Sequence, residues 1–440
     1  MRYEAAAVSP LRVGYPPVAL AWVAMAVLMV TYLFSWLDRS VLLLLIDPVR
    51  RDFFLTDSQI GILTGPALAI VYACAAIPLT RLGDLWSRKW VIIIGIIIWS
   101  TMTIASGLTH SFARLMIART GVGLGEAALT ANAYTLTAEL FAPGQRGRAM
   151  SLFVLGQSLG AGVALVAGGA LLGLVTASDR GPLAVLGVLA PWRQVLVVVG
   201  AMTLVWSVVV AFTPEPPRTV SSSGTRLADC LRRLVQKRAA YCIHFVALPI
   251  WNLSAYAFAT WAPTFFIREH GWVAPMTGAR LGWTSLVAAI LATLVDGWLA
   301  DRLYASPVLV AKLIAYSTLA SVPFLIWGAF TSGPYLALTA LTIATFLSGS
   351  VAVLGPLSLH MITPPGLRGG MTALFLLVAN LIGIGVGPPL VALASAHFTG
   401  PHRLGAAIAL VCSVTTLGPG IITWVAAGAF AREARDMASE

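Results

Sequence analysis

The stretch SWLDRSVLLLL, residues 35 to 45, sets Asp38 and Arg39 side by side inside an apolar run that extends from about residue 18 to about residue 46. A run of that length exceeds the roughly 20 residues that carry a helix across a hydrocarbon core about 30 Å thick. An ionised group at the centre of such a core costs about 2.5–3.5 kcal/mol on insertion scales, so both charges must face protein or water rather than lipid. The stretch therefore reads as a membrane span with a polar task on one side.

The remainder of the chain repeats the pattern. Of its 440 residues, 58% are hydrophobic and only 10% charged, whereas a soluble domain is about a quarter charged. Cutting at charge and Pro/Gly clusters leaves further apolar segments at about 58–80, 90–109, 112–140, 149–175 and 192–213, then 240–267, 276–300, 306–329, 334–362, 370–396 and 404–430. Strand-like alternation is absent, which excludes an outer-membrane barrel. The expected fold is all-α, with twelve transmembrane helices. The first run is too long for the apolar core of a signal peptide and is read as a retained span.

With the N-terminus inside, inner loops hold 18 of the 28 Lys and Arg residues and outer loops hold 8, which places both termini in the cytoplasm. That bias also explains the net charge of +11 without a nucleic-acid partner. The four cysteines, at 74, 230, 242 and 412, have neither the pairing of a disulfide framework nor zinc-ligand spacing.

The chain divides in the middle. TPEPPRTVSSSG leads into the basic stretch RLADCLRRLVQKR at 226 to 238, a linker followed by a basic amphipathic segment on the membrane surface. The expected units are a cytoplasmic tail at 1–16, a six-helix bundle at 17–213, the linker at 214–239, a second six-helix bundle at 240–431 and a tail at 432–440. Two matches between the halves support a duplication: PGQRG at 143 with PGLRG at 365, and TRLGDLWSRK from 80 with GWLADRLYAS from 297. Duplicated six-helix halves with a binding site at their interface are a transporter pattern.

On these residues the chain resembles the major facilitator superfamily. GWLADR at 297–302 matches the family's cytoplasmic loop motif; the first-half copy keeps Asp84, Arg88 and Lys89 but has Thr80, Leu85 and Ser87 where Gly, Arg and Gly are usual. More narrowly the chain is similar to the spinster branch, through LDR at 37–39, DSQIG at 57–61, RTGVGLGEA at 119–127, PWR at 191–193 and EPPR at 215–218. The resemblance implies a proton-coupled carrier working by alternating access, with a lysophospholipid or sphingoid-phosphate cargo. It also implies that the first and fourth helices line the cavity of the first half. A multi-pass protein of a bacterial inner membrane, acting as a monomer on the bilayer, protons and an amphipathic cargo, is the expected setting. No cofactor is expected, since a proton gradient supplies the energy. A multidrug or organic-anion exporter is the second reading, disfavoured by GAGVALVAGG in the fifth segment, which lacks the Gly-Pro of many exporters. An enzyme is not expected, because no nucleophile and base pair, no His and acid cluster and no phosphate-binding loop is found. A channel would carry charge rings or a filter motif, and a sensor is the remaining alternative of a different class.

The charges within the spans carry the site expectation. At 1.5 Å per residue, Asp38 and Arg119 lie about 12 and about 10 Å from the outer ends of their helices, and Glu126, seven residues after Arg119, shares its face within about 20°. That puts a fixed cation above a deep carboxylate, with glycines at 121, 123 and 125 admitting a close neighbour. Desolvation pushes a carboxylate towards its neutral form and a nearby cation holds it ionised. Glu126 and Asp38 are thus the expected proton carriers, and Arg39 and Arg119 the charge partners or anion binders, against the alternative of static buried pairs.

Asp84, Arg88, Arg146, Asp301, Arg302 and Arg368 are expected at the cytoplasmic face as an inter-half gate, with topology alone as the plain alternative. Asp296 stands as an extension of that network. Trp251, Asn252, Tyr256 and Trp261 give the seventh helix a broad aromatic face, a candidate cavity wall or lipid belt. The second half brings few charges into its spans, so its side of the cavity is expected to be mostly apolar. His270 and His360 lack metal-ligand spacing and are read as satisfied or solvated.

Overall fold

The computed structural model describes residues 15–142, 145–177, 189–215, 227–303 and 306–439. The first fourteen residues, part of PGQRG at 143–144, most of EPPR with the Ser-rich linker at 216–226, and positions 304–305 after GWLADR lie outside the described residues.

Within them, eleven helices are long and apolar enough to cross a membrane, beginning with Val18–Leu44, Asp57–Leu85 and Arg88–Leu108 and ending with Arg403–Met437. The twelfth crossing is the fourth segment, which is present in two pieces, Phe112–Glu126 and Leu129–Leu140. Ala127 and Ala128 between them keep right-handed dihedrals, so the chain bends there without reversing. The helices are called spans one to twelve below.

Three boundaries differ from expectation. Span one stops at Leu44, and after Leu45 a short outer helix, Ile46–Asp52, follows. Span seven begins at Arg238 and passes through a π-helical turn, Ile243–Ala247. The last helix, Arg403–Ser439, runs on through residues assigned above to a tail. This extension has a cause: Glu433 on it pairs with Arg233 and Lys237 of the linker helix Leu227–Gln236 and the residue after it.

The loop repeat proves to be a repeat of one hydrogen bond. Arg146 Nε donates to the Phe141 carbonyl at 3.0 Å, and Arg368 Nε donates to the Thr363 carbonyl at 3.1 Å. Each arginine reaches back five residues to a carbonyl at the end of a preceding helix, where helical partners run out and positive charge is favoured.

The halves meet closely where side chains vanish. A Cβ at Gly282 of span eight would lie 2.6 Å from the Gly162 carbonyl of span five, and one at Gly61 of span two 2.8 Å from Pro389 Cα of span eleven. Both contacts lie in the outer part of the membrane. There the DSQIG stretch acquires its physical meaning. Thr56 and Gln59 form a reciprocal capping box that fixes the start of span two. Asp57, at the first helical position, receives Arg268 Nη1 at 3.0 Å and Arg403 Nη2 at 2.9 Å from the second half. Arg268 Nε also donates to Asp47 Oδ1 at 2.8 Å. Among the described residues, the ion pairs joining the halves all lie on this outer side, and the molecule is closed there. Burial pushes His270, beside Arg268, below its ordinary histidine value, with His402 adding to the effect.

A hydrogen bond to a charged partner contributes about 1.5–3 kcal/mol. Asp57→Asn is therefore expected to shift the outer-open to outer-closed ratio by at least about tenfold. Distances between spin labels across the outer face should lengthen in a matching fraction of molecules, and an unaltered distribution would remove Asp57 as the clasp.

Candidate functional site: crossed ion pairs beside a central cavity

Span one crosses span four so that the neighbouring charges of the former meet separate partners on the latter. Asp38 accepts from Thr103 Oγ1 at 2.8 Å and faces Arg119 Nη1 at 3.5 Å. Arg39 Nε donates to Glu126 Oε2 at 2.5 Å, and Ser35 Oγ, one turn earlier, donates to Glu126 Oε1 at 3.0 Å. Adjacent residues on a helix point about 100° apart, which is why one pair of neighbours serves two partners. The cation on Glu126 is thus Arg39. Arg119, expected above Glu126, is held by Asp38 instead.

Asp38, Arg119 and Glu126 are 1–2% exposed. Arg39 stays partly open and lies over the rings of Trp36 and Tyr72, at 5.7 and 5.3 Å. The two pairs differ in completeness. Glu126 is held by close bonds on both oxygens, whereas Arg119 leaves Nε and Nη2 buried without a partner. An unpaired buried N–H is costly and an arginine offers five of them in a fixed fork, so Arg119 keeps donors to spare beside the cavity.

The glycines of span four permit this depth. A Cβ at Gly125 would stand 2.6 Å from the Gly95 carbonyl of span three, and one at Gly123 would stand 2.9 Å from the Leu68 carbonyl of span two. Two residues apart on a helix face opposite neighbours, so the GVGLG run seats span four between two helices at once.

Arg39 and Arg119 border a cavity of about 340 Å³ between the halves. Trp36, Arg39 and Arg119 line it from the first half, Trp251 and Tyr256 from the second, and the Trp36 and Tyr256 rings stack across it with centroids 6.4 Å apart. Asn252 and Trp261 are occupied elsewhere: Asn252 Nδ2 donates to the Ala379 carbonyl at 2.7 Å and buried Trp261 Nε1 to the Pro388 carbonyl at 2.9 Å. Those two tie span seven to span eleven. The second half's wall is uncharged, as expected, but its apolar side chains are interleaved with Ser and Thr hydroxyls.

The cytoplasmic group is not assembled across the halves. Arg88 binds Asp84 at 2.7 Å and also Glu139, all in the first half. Arg146 and Arg368 each close their own loop, Arg302 lies 3.9 Å over Trp298, and Asp301 is exposed. These residues stand apart because the halves touch on the other side. Asp296 is 6% exposed and makes no hydrogen bond or ion pair among the described residues. His360 Nε2 pairs with Thr372 at 2.9 Å. Glu139, Asp47, Asp57, Arg268 and Arg403 were not singled out by the sequence. Their partners lie far along the chain, and the one available signal was DSQIG at the head of a span.

This architecture is that of a secondary membrane transporter: two six-helix halves, a cavity between them and charges sunk beside it. The sequence pattern described as Major Facilitator Superfamily matches residues 28–388, and the chain belongs to that family. An MFS-type efflux pump of Mycolicibacterium smegmatis is 26% identical over 429 residues, covering 94% of each chain. Protein spinster homolog 3 of Danio rerio is 26% identical, covering 84% of this chain and 76% of its own. The crystal structure of a bacterial homologue of the human lysosomal transporter spinster, inward-facing and unoccupied, superposes with a TM-score of 0.81 at 24% identity, covering 97% of this chain and 99% of that one. Within the superfamily, the chain is thus similar to spinster proteins in sequence and in fold.

Removing one member of a buried ion pair strands the other, at a cost of about 3–5 kcal/mol. Glu126→Gln is expected to lower the melting temperature of the purified protein, and Arg39→Met added to it to recover most of the loss. A double variant less stable than the single one would contradict the pairing.

Proposed function

We propose that the protein is a proton-coupled carrier of an anionic, amphipathic, lipid-like cargo, working as a monomer by alternating access in a bacterial inner membrane. One observation carries the reading: Arg119, on the cavity wall, has two buried nitrogens, Nε and Nη2, with their three N–H groups free, while its third nitrogen reaches Asp38 only at 3.5 Å. An anionic head group at Arg119 takes up the free donors and draws the guanidinium from Asp38. Asp38, left with Thr103 and no cation in a dry site, takes a proton in its place. Cargo and proton then bind as linked events, each favouring the other. Glu126 and Arg39 form the second couple, in which Arg39 is the more exposed member, its guanidinium lying over the Trp36 and Tyr72 rings.

The uncharged second half suits an apolar tail, so the head lies on the first half and the tail on the second. Lysophospholipids and sphingoid phosphates have this build. A proton-coupled exporter of organic anions or drugs is the second reading, favoured by the end-to-end similarity to the efflux pump. Reconstituted vesicles given a pH step distinguish both from a channel, since only a carrier moves labelled cargo against its gradient. Asp38→Asn and Glu126→Gln are expected to abolish uptake driven by the pH step, a loss of at least about tenfold, while head-group binding persists. Wild-type rates in both variants end the proton assignment. A melting-shift screen of lysolipids, sphingoid phosphates and common drugs separates the two cargo classes.

A further inference from the structure

The second half's cavity wall carries hydroxyls at mid-membrane depth on several helices: Ser254, Ser321, Thr345, Ser348 and Thr416. Their protons are already committed. Ser321 Oγ donates to the Thr318 carbonyl at 2.7 Å, Thr345 Oγ1 to the Leu341 carbonyl at 2.8 Å and Ser348 Oγ to the Thr345 carbonyl at 3.3 Å. Thr416 Oγ1 donates to Ser254 Oγ at 3.0 Å, and Ser254 Oγ donates on to the Cys412 carbonyl at 3.3 Å. A hydroxyl that has given its proton to its own helix keeps oxygen lone pairs and nothing to donate. On spans nine and ten this wall therefore presents acceptors, with the hydroxyls of Tyr256, Thr260 and Ser285 lining the cavity from spans seven and eight, while the wall opposite presents the guanidinium donors of Arg119 and Arg39.

We infer that the hydroxyls of spans nine and ten, Ser321, Thr345 and Ser348, select cargo whose anionic head carries a hydrogen-bond donor, an ammonium or a hydroxyl, beside the acid. The inference rests on the reading of Arg119 as the anion site and adds a discrimination that Arg119 cannot make. A guanidinium binds any phosphate bidentately, with or without a neighbouring donor. Once the halves close and water leaves, acceptor oxygens facing an alkyl group lose their partners, whereas an ammonium or hydroxyl satisfies them. A site built to bond a polar group rejects the analogue lacking it far better than an apolar pocket rejects an added methylene. Such acceptors thus act as a specificity filter across the cavity from the charge.

The test compares two amphiphiles with the same anion and similar chain length, sphinganine 1-phosphate, which bears an ammonium and a hydroxyl, and hexadecyl phosphate, which bears neither. Affinities are measured on the full-length protein in lipid nanodiscs. The wild type is expected to bind sphinganine 1-phosphate about tenfold or more tightly than hexadecyl phosphate. Ser321→Ala with Thr345→Val and Ser348→Ala should bring that ratio to about one by weakening the former ligand alone. Each lost hydroxyl bonds only its own helix, and an unaltered melting temperature confirms the fold; Ser348→Ala alone, with a smaller loss, stands in should the triple variant melt early. Equal affinities in the wild type, or a preference untouched by these variants, overturn the inference while leaving Arg119 as the anion site. Failure of both amphiphiles to bind, or binding of both that survives Arg119→Gln, overturns the anion reading and the filter with it.

Discussion

Four charges buried in an apolar slab can exist only by neutralising one another, and the first half of this protein is arranged around that requirement. Asp38 needs Arg119 and Glu126 needs Arg39, so spans one and four must cross at a fixed height and rotation. The glycines at 123 and 125, and the bend at Ala127 and Ala128, follow from it. Without close approach to Leu68 and Gly95, span four would not seat deep enough for Glu126 to meet Arg39. Burying such pairs stabilises little over apolar packing, because desolvation offsets the Coulomb attraction. Their retention in a transport fold is better explained by what an exchangeable partner allows than by stability.

The outer clasp is tied to this centre through one helix. From Asp38 and Arg39, span one continues for under two turns to Leu44, and the short helix beyond Leu45 carries Asp47 to Arg268. Helices transmit rotation and tilt over that distance, while the break at Leu45 lets the outer piece pivot. Span one thus joins the mid-membrane pairs to the clasp through one continuous stretch of chain, broken as a helix only at Leu45. Arg268 and Glu269 add a second link: the former grips the first half, and the latter accepts the Leu404 and Gly405 amides at 2.7 and 2.9 Å, capping span twelve. Span seven therefore cannot leave Asp47 and Asp57 without pulling on span twelve, whose Thr416 borders the cavity.

Much of this was legible in the sequence because it follows from local rules. Hydropathy alone marks the spans, since a bilayer demands some twenty apolar residues wherever the chain crosses. The isolated charges announced themselves through their cost, and the offset of 222 between PGQRG and PGLRG pointed to a duplication that the structure expresses as one hydrogen bond made twice. Long-range pairing was not legible. Helical periodicity gave Arg119 and Glu126 one face, but which of two arginines meets Glu126 depends on the crossing of two helices, which no spacing encodes. For the same reason Asp57 looked like a span start rather than a clasp, its partners lying 211 and 346 residues away. Trp261 read as a wall residue for want of any sign that the Pro388 carbonyl waits beside it.

The hydroxyl wall was illegible for a different reason. Ser and Thr are common in membrane helices, where bonding back to a carbonyl one turn earlier makes them tolerable in lipid. Sequence gives no way to tell a hydroxyl that faces lipid from one that faces a cavity, and either looks neutral. What distinguishes Ser321, Thr345 and Ser348 is that they line the same space that Arg119 borders, with their protons already given to their own helices. Guanidinium donors stand on the first half, and spans nine and ten of the second half offer acceptors. A cargo able to satisfy both walls at once holds the halves together when water has left, and one that satisfies only the arginines leaves the far wall unpaired at the step where closure must be favourable. Under the inferred filter, selection of cargo and closure of the halves would be the same event.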